Sequence, residues 1–110
     1  MNRFVAIGIA VALGCAASAS AQDAKAAKGE KVYADQKCAM CHSIGDKGNK
    51  KGPLDGVASK YSAADLQQWV VDAKGMTEKT KSTRKPNMKN YQLPKEDVEA
   101  LVAYMQTLKK

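Results

Sequence analysis

Apolar side chains recur at helical spacing in three stretches of the chain and crowd together without periodicity in one. The crowded stretch comes first: Phe4 to Leu13 is ten residues of apolar or small side chains, which would cover every face of a helix. Arg3 places a positive charge before it, and Ala19-Ser20-Ala21 offers a small-x-small cleavage pattern after it, completing the three parts of a secretory signal. Ten residues are too few to cross a hydrocarbon core of about 30 Å as a helix. The expectation is a signal peptide over 1–21, cleaved after Ala21, and one mature domain over 22–110. Cys15, in Val11-Ala12-Leu13-Gly14-Cys15, partly matches a lipoprotein signal, with Ala12 where leucine is usual. Lipidation there is the alternative to cleavage after Ala21.

The three periodic stretches predict helices. An Ala/Lys-rich lead from Gln22 to Lys28 runs into the first, which ends near Asp35 and has Val32 and Tyr33 on its apolar side. Ser62, with Asp65 three residues on, is a capping box for the second. Leu66, Trp69, Val70 and Ala73 follow at helical spacing, and Gly75 is placed to end that helix. The last helix starts near Pro94 and reaches about Leu108, with Val98, Leu101, Val102, Met105 and Leu108 as its buried stripe. Glu96, Asp97 and Glu99 suit the positive end of its dipole, and Lys109 and Lys110 suit the negative end. Residues 43–60, rich in glycine, and 74–92, rich in lysine, have the composition of loops. Nothing alternates as a strand does, and there is no internal repeat. The predicted fold is all-α: three main helices joined by long loops.

Composition makes that fold incomplete. Without residues 1–21 the chain keeps two cysteines, one tryptophan and no phenylalanine. A domain this small often needs a staple, and two cysteines only three positions apart close too short a loop to provide one. Long loops in a small domain also need something to hold them. A large apolar cofactor would meet both needs.

Cys38-Ala39-Met40-Cys41-His42 names that cofactor. C-x-x-C-H is the attachment signature of covalent haem c. The two thiols add across the two vinyl groups, and the adjacent histidine reaches the iron as proximal ligand. A thioredoxin-type redox pair would want a strand before the motif, and a zinc site would want four ligands where only two cysteines and one histidine remain. The second axial ligand decides what the haem does. With no second histidine, methionine is the candidate, and methionine raises the reduction potential in favour of electron transfer. Met40 lies inside the motif, and Met105 lies on the last helix's apolar stripe. Met76 and Met88 remain. Met88 is the choice, because Pro86 stiffens its approach and Tyr91 and Leu93 anchor the chain beyond it; Met76 is the alternative.

The mature chain resembles the small monohaem class I cytochromes c of bacteria over nearly its whole length. The resemblance rests on Gly29-x-x-x-Tyr33, Cys38-x-x-Cys41-His42, Gly52-Pro53-Leu54, the loop Met88 and the run from Glu96 to Met105. It implies a cytochrome c-like fold wrapped around one haem, with Tyr104 packed across Gly29. It also implies that the carbonyl of Pro53 accepts the proton of the far nitrogen of His42 and that Trp69 packs near the haem propionates. Two positions depart from the family: Pro94 stands where a capping serine or threonine is common, and no proline follows Met88 directly.

Charge bears on partners. Residues 22–110 carry 17 basic and 11 acidic side chains, a net charge of +6. Lys37, Lys47, Lys50, Lys51, Lys79, Lys81, Lys85 and Lys89 flank the motif and the methionine loop, which suits redox partners with acidic docking faces. Export and scarce stacking aromatics argue against nucleic acid. The function expected is therefore a periplasmic electron carrier and not an enzyme. It would be a monomer that passes single electrons from a donor protein to an acceptor protein. The rivals are a haem protein with an open sixth site, for ligand binding or peroxidatic chemistry, and a permanent haem subunit of a dehydrogenase complex.

Overall fold

The computed structural model describes residues 16–110 of the chain. Most of the expected signal peptide, including Cys15, lies outside the described residues. Five α-helices follow in order among them: α1 (Ala16–Asp35), α2 (Val57–Lys60), α3 (Ala63–Val71), α4 (Ala73–Thr80) and α5 (Lys95–Met105). A 3₁₀ turn at Cys38–Met40 and a two-strand ladder, β1 (Ser43–Ile44) against β2 (Lys47–Gly48), lie between α1 and α2.

The frame is the crossing of α1 and α5. A Cβ on Gly29 would overlap the carbonyl oxygen of Ala100 and stand 2.7 Å from Tyr104 Cβ. Only glycine permits this approach, and Tyr104 meets it as the family resemblance implied. One turn on, the Tyr33 and Tyr104 rings pack edge to face with centroids 5.7 Å apart. Val32, Tyr33, Val57, Leu66, Val70, Val98, Leu101, Val102 and Met105 form the core, so the three predicted stripes meet one another. Lys28 adds exposed ion pairs to Asp97 (3.4 Å) and Glu96 (3.7 Å), a small term at such a surface. Pro94 caps α5 without a side-chain bond; its carbonyl accepts from the amides of Asp97 and Val98.

The helix count corrects the three-helix expectation. Ser62 caps α3 as read, accepting from the Asp65 amide at 3.2 Å, but the helix stops at Val71 and not at Gly75. Asp72 breaks it and starts α4, its carboxylate accepting from the Gly75 amide at 3.2 Å. Gly75 thus lies inside a helix, in a first turn where a Cβ would collide with that carboxylate. α4 buries only Ala73 and Met76, too few apolar positions to show a period in sequence. α2 is a single turn in the segment read as loop, and the C-terminal tail sets it. Leu108 O accepts from the Ala58 amide (3.0 Å) and Lys109 O from Ser59 Oγ (3.2 Å).

Candidate functional site

The first helix delivers the motif. After Asp35 the chain closes on Val32 O and Ala34 O through the amides of Gln36 and Lys37, and Lys37 turns it left-handed at φ 57°. Cys38 O then accepts from the amides of Cys41 (3.1 Å) and His42 (2.9 Å). One tight turn therefore carries both thiols and the imidazole. Cys38 is half-buried against the core and Cys41 is exposed, and both thiols are free. Burial pushes the Cys38 pKa up. Met40 projects outward at 70 % exposure.

His42 is oriented by the backbone. Its Nδ1 lies 3.0 Å from the Gly52 carbonyl oxygen, which can only accept, so Nδ1 carries the proton and Nε2 keeps its lone pair. The acceptor is Gly52, not Pro53 as the resemblance implied. The reason is local pairing: Ser43 bridges Pro53 in parallel, donating to Gly52 O while Leu54 donates to Ser43 O. Successive carbonyls of such a segment alternate in direction, and the one that faces His42 belongs to Gly52. Burial lowers the His42 pKa most; the Gly52 bond opposes this and the nearby Arg84 charge adds to it.

The loop after the motif folds back onto it. Asn49 donates from its amide to His42 O (2.9 Å) and Ala39 O (3.0 Å), and from Nδ2 to Met40 O (3.1 Å). Gly48, at φ 100°, passes so close that a Cβ would overlap the His42 carbonyl oxygen.

Of the two candidate methionines, Met76 is buried on α4. Met88 is half-buried and lines a cleft of about 450 Å³ with Lys74, Thr77 and Glu78 of α4 and Asn87, Lys89 and Asn90 of its own segment. Neither motif cysteine nor His42 lines that cleft. The segment nevertheless reaches the motif before Met88 and is tied to α3 after it. Arg84 Nη2 donates to Cys41 O, and Arg84 Nη1 stands 3.5 Å from His42 Nδ1. Tyr91 donates its amide to Val70 O (2.9 Å). Burial pushes its phenol pKa up, with smaller contributions from Cys38 and Cys41.

Among the described residues, two buried side-chain polar atoms lack any partner: Tyr33 OH and Trp69 Nε1. Trp69 stacks edge to face on Tyr61, centroids 6.2 Å apart, which leaves its N–H as the unused function of that pair. Among the described residues, no three His, Cys, Asp or Glu side chains gather as a metal site, and no helix is long and apolar enough to cross a membrane. The lysines flanking the motif and the Met88 segment are all exposed.

A model of the cytochrome c family matches residues 26–109, from the first helix to the tail after α5. The chain belongs to the cytochrome c family. No curated protein and no solved structure matches it. Membership brings an electron-transfer family whose members hold haem c through cysteines and act as carriers, not catalysts. This cytochrome c fits the group on its own atoms. It has two free thiols on one turn, an imidazole with Nε2 unprotonated and an unpartnered indole N–H. Arg84, Gly48 and Asn49 were not found by motif reading. Arg84 left one signal: it is the sole arginine in residues 22–110, among 16 lysines.

Proposed function

We propose that this cytochrome c is a periplasmic carrier of single electrons, with one haem c attached through Cys38 and Cys41 and ligated by His42 and Met88. Export would follow cleavage of residues 1–21. When bound, the haem supplies the one-electron iron couple. Cys38 and Cys41 would hold it through thioether bonds, and His42 Nε2 and the Met88 sulfur would ligate its iron. The Gly52 carbonyl keeps the imidazole in its Nδ1–H tautomer and makes it a stronger ligand. Trp69 Nε1, buried without a partner, would be the donor for a propionate.

The observation that carries the choice of Met88 is its position between Arg84, which donates to the Cys41 carbonyl, and Tyr91, whose amide is tied to Val70 of α3. Met76 belongs to the packing of α4. The test is the sulfur-to-iron charge-transfer band of the oxidised protein: Met88→Ala abolishes it and Met76→Ala keeps it. The reverse pattern would move the ligand to Met76. A high-spin wild type without the band would mean an open sixth site. The exposed lysines suit donor and acceptor proteins with acidic docking faces, and a fall in electron-transfer rate with added salt checks this.

A further inference from the structure

We infer that Arg84 is a positioning residue whose fixed charge, held beside His42, raises the reduction potential of the haem; the inference rests on His42 being the proximal ligand. Three lysines share its segment, Lys81, Lys85 and Lys89, and all are exposed, whereas Arg84 is half-buried. Its planar fork is spent on the motif. Nη2 donates to the Cys41 carbonyl, and Nη1 lies over Gly52, where a Cβ would overlap Nη1, the guanidinium carbon and the Cys41 carbonyl oxygen. The absence of a side chain at Gly52 is therefore the seat of the guanidinium. A lysine has the charge but not the fork that fills this seat.

The contact with His42 is electrostatic. Nδ1 already donates to Gly52 O at 3.0 Å, so Nη1, 3.5 Å away, meets a proton and not a lone pair. A cation held there opposes any further positive charge on the imidazole and on the metal it ligates. The oxidised haem carries one more positive charge than the reduced haem, so the arginine favours the reduced form. No acidic group cancels it: the ion pairs among the described residues involve only Lys28 and Lys95. Its partial burial also limits screening by salt.

The test is spectroelectrochemical titration of the purified, haem-loaded wild type, Arg84→Gln and Arg84→Lys. Arg84→Gln is expected to shift the one-electron equilibrium roughly tenfold toward the oxidised form, a fall of about 59 mV. The fall should persist at about 0.5 M salt, where surface charge is screened, and Arg84→Lys should recover part of it. A potential within twofold of wild type in Arg84→Gln, with the sulfur band intact, overturns the inference while leaving the ligands as proposed. Arg84→Lys as low as Arg84→Gln also overturns it, since packing and not charge would then be at work. If a variant loses the sulfur band, the imidazole adducts of wild type and variant are titrated, because these no longer depend on Met88. A lower potential in the variant adduct supports the inference and equal potentials overturn it. A wild type without the band refutes the Met88 ligation separately.

Discussion

Gly29→Ala puts one methyl group where α1 and α5 cross. Its carbon would stand 2.7 Å from Tyr104 Cβ and overlap the Ala100 carbonyl oxygen, against an optimal carbon–carbon separation of about 3.5–4.0 Å. Both colliding atoms are fixed to the α5 backbone, so no rotamer change relieves them and the helices must part by about 1 Å. Overpacking of this kind costs about 1–3 kcal/mol, and the rigid partners put the cost near the upper figure. Separation also weakens the Tyr33–Tyr104 edge contact, worth about 0.5–1.5 kcal/mol. Alanine returns about 1 kcal/mol of helix propensity. The net loss is about 2–3 kcal/mol, which in a domain of this size lowers Tm by about 10–15 °C. Thermal unfolding of the haem-loaded protein, followed by far-UV circular dichroism, reads it directly. An unchanged or higher Tm would refute the reasoning. So would rescue by a second substitution, Tyr104→Ala, because alanine keeps the colliding Cβ.

Tyr33→Phe removes a buried hydroxyl with no partner and is expected to stabilise the protein by about 1 kcal/mol. The gain grows in alkali: burial, followed by Cys38, holds the phenol pKa up at about 12 in the fold against 10.0 when free. Wild-type stability attributable to this group is full below pH 10 and declines as pH rises toward about 12, so at pH 11 the advantage of Phe widens by about 1.4 kcal/mol. Denaturant midpoints at pH 9 and 11 measure this, and a constant difference between the two proteins contradicts it. Gly48→Ala combines a positive φ of 100° with overlap on the His42 carbonyl oxygen and should cost about 2–4 kcal/mol. Gly45→Ala, at φ 59° with nothing within 4 Å, should cost only about 1 kcal/mol; equal losses in denaturant unfolding would dismiss the contact with His42.

The three long stripes were legible because burial repeats along them: Leu66 and Val70, or Val98, Leu101, Val102 and Met105, mark one helix face by spacing alone. α4 escaped notice because it buries two residues and carries a glycine, and what holds it is local capping. Asp72 takes the Gly75 amide, and Thr77 and Thr80 bond back to Ala73 O and Met76 O at 2.8 Å. α2 was hidden for a different reason, since the amide of Ala58 and the hydroxyl of Ser59 bond to residues fifty positions away. At the site, the motif showed which side chains belong together because attachment chemistry dictates a fixed spacing. The acceptor for His42 depended on the pairing of Ser43 with Pro53, which no spacing rule encodes. Arg84 is 42 positions from His42, and only its rarity among lysines set it apart.

Residues 81–94 contain no regular element, yet the ligand proposed on them, Met88, would have to arrive at one place. Their tethers lie on either side of Met88 and not at it. Before it, Arg84 is held at Cys41 O. After it, Asn90 Oδ1 accepts from the Lys74 amide (3.0 Å), the Tyr91 amide donates to Val70 O (2.9 Å), and Lys89 Nζ lies 5.0 Å over the Tyr91 ring. Between residues 84 and 89, the segment's own side-chain bond is Lys85 Nζ to Asn87 Oδ1. Ordering a loop costs entropy for every residue left free. Tethers at residues 84 and 90 leave five residues between them to order, where the segment as a whole would present 14. The anchoring cost is thus met by contacts to the motif and to α3 and α4 before any bond to Met88 forms. A thioether is a weak neutral donor, so most of its usefulness as a ligand depends on being delivered in place. On the Met88 ligation proposed above, that delivery would be a property of Arg84, Asn90 and Tyr91 as much as of the methionine.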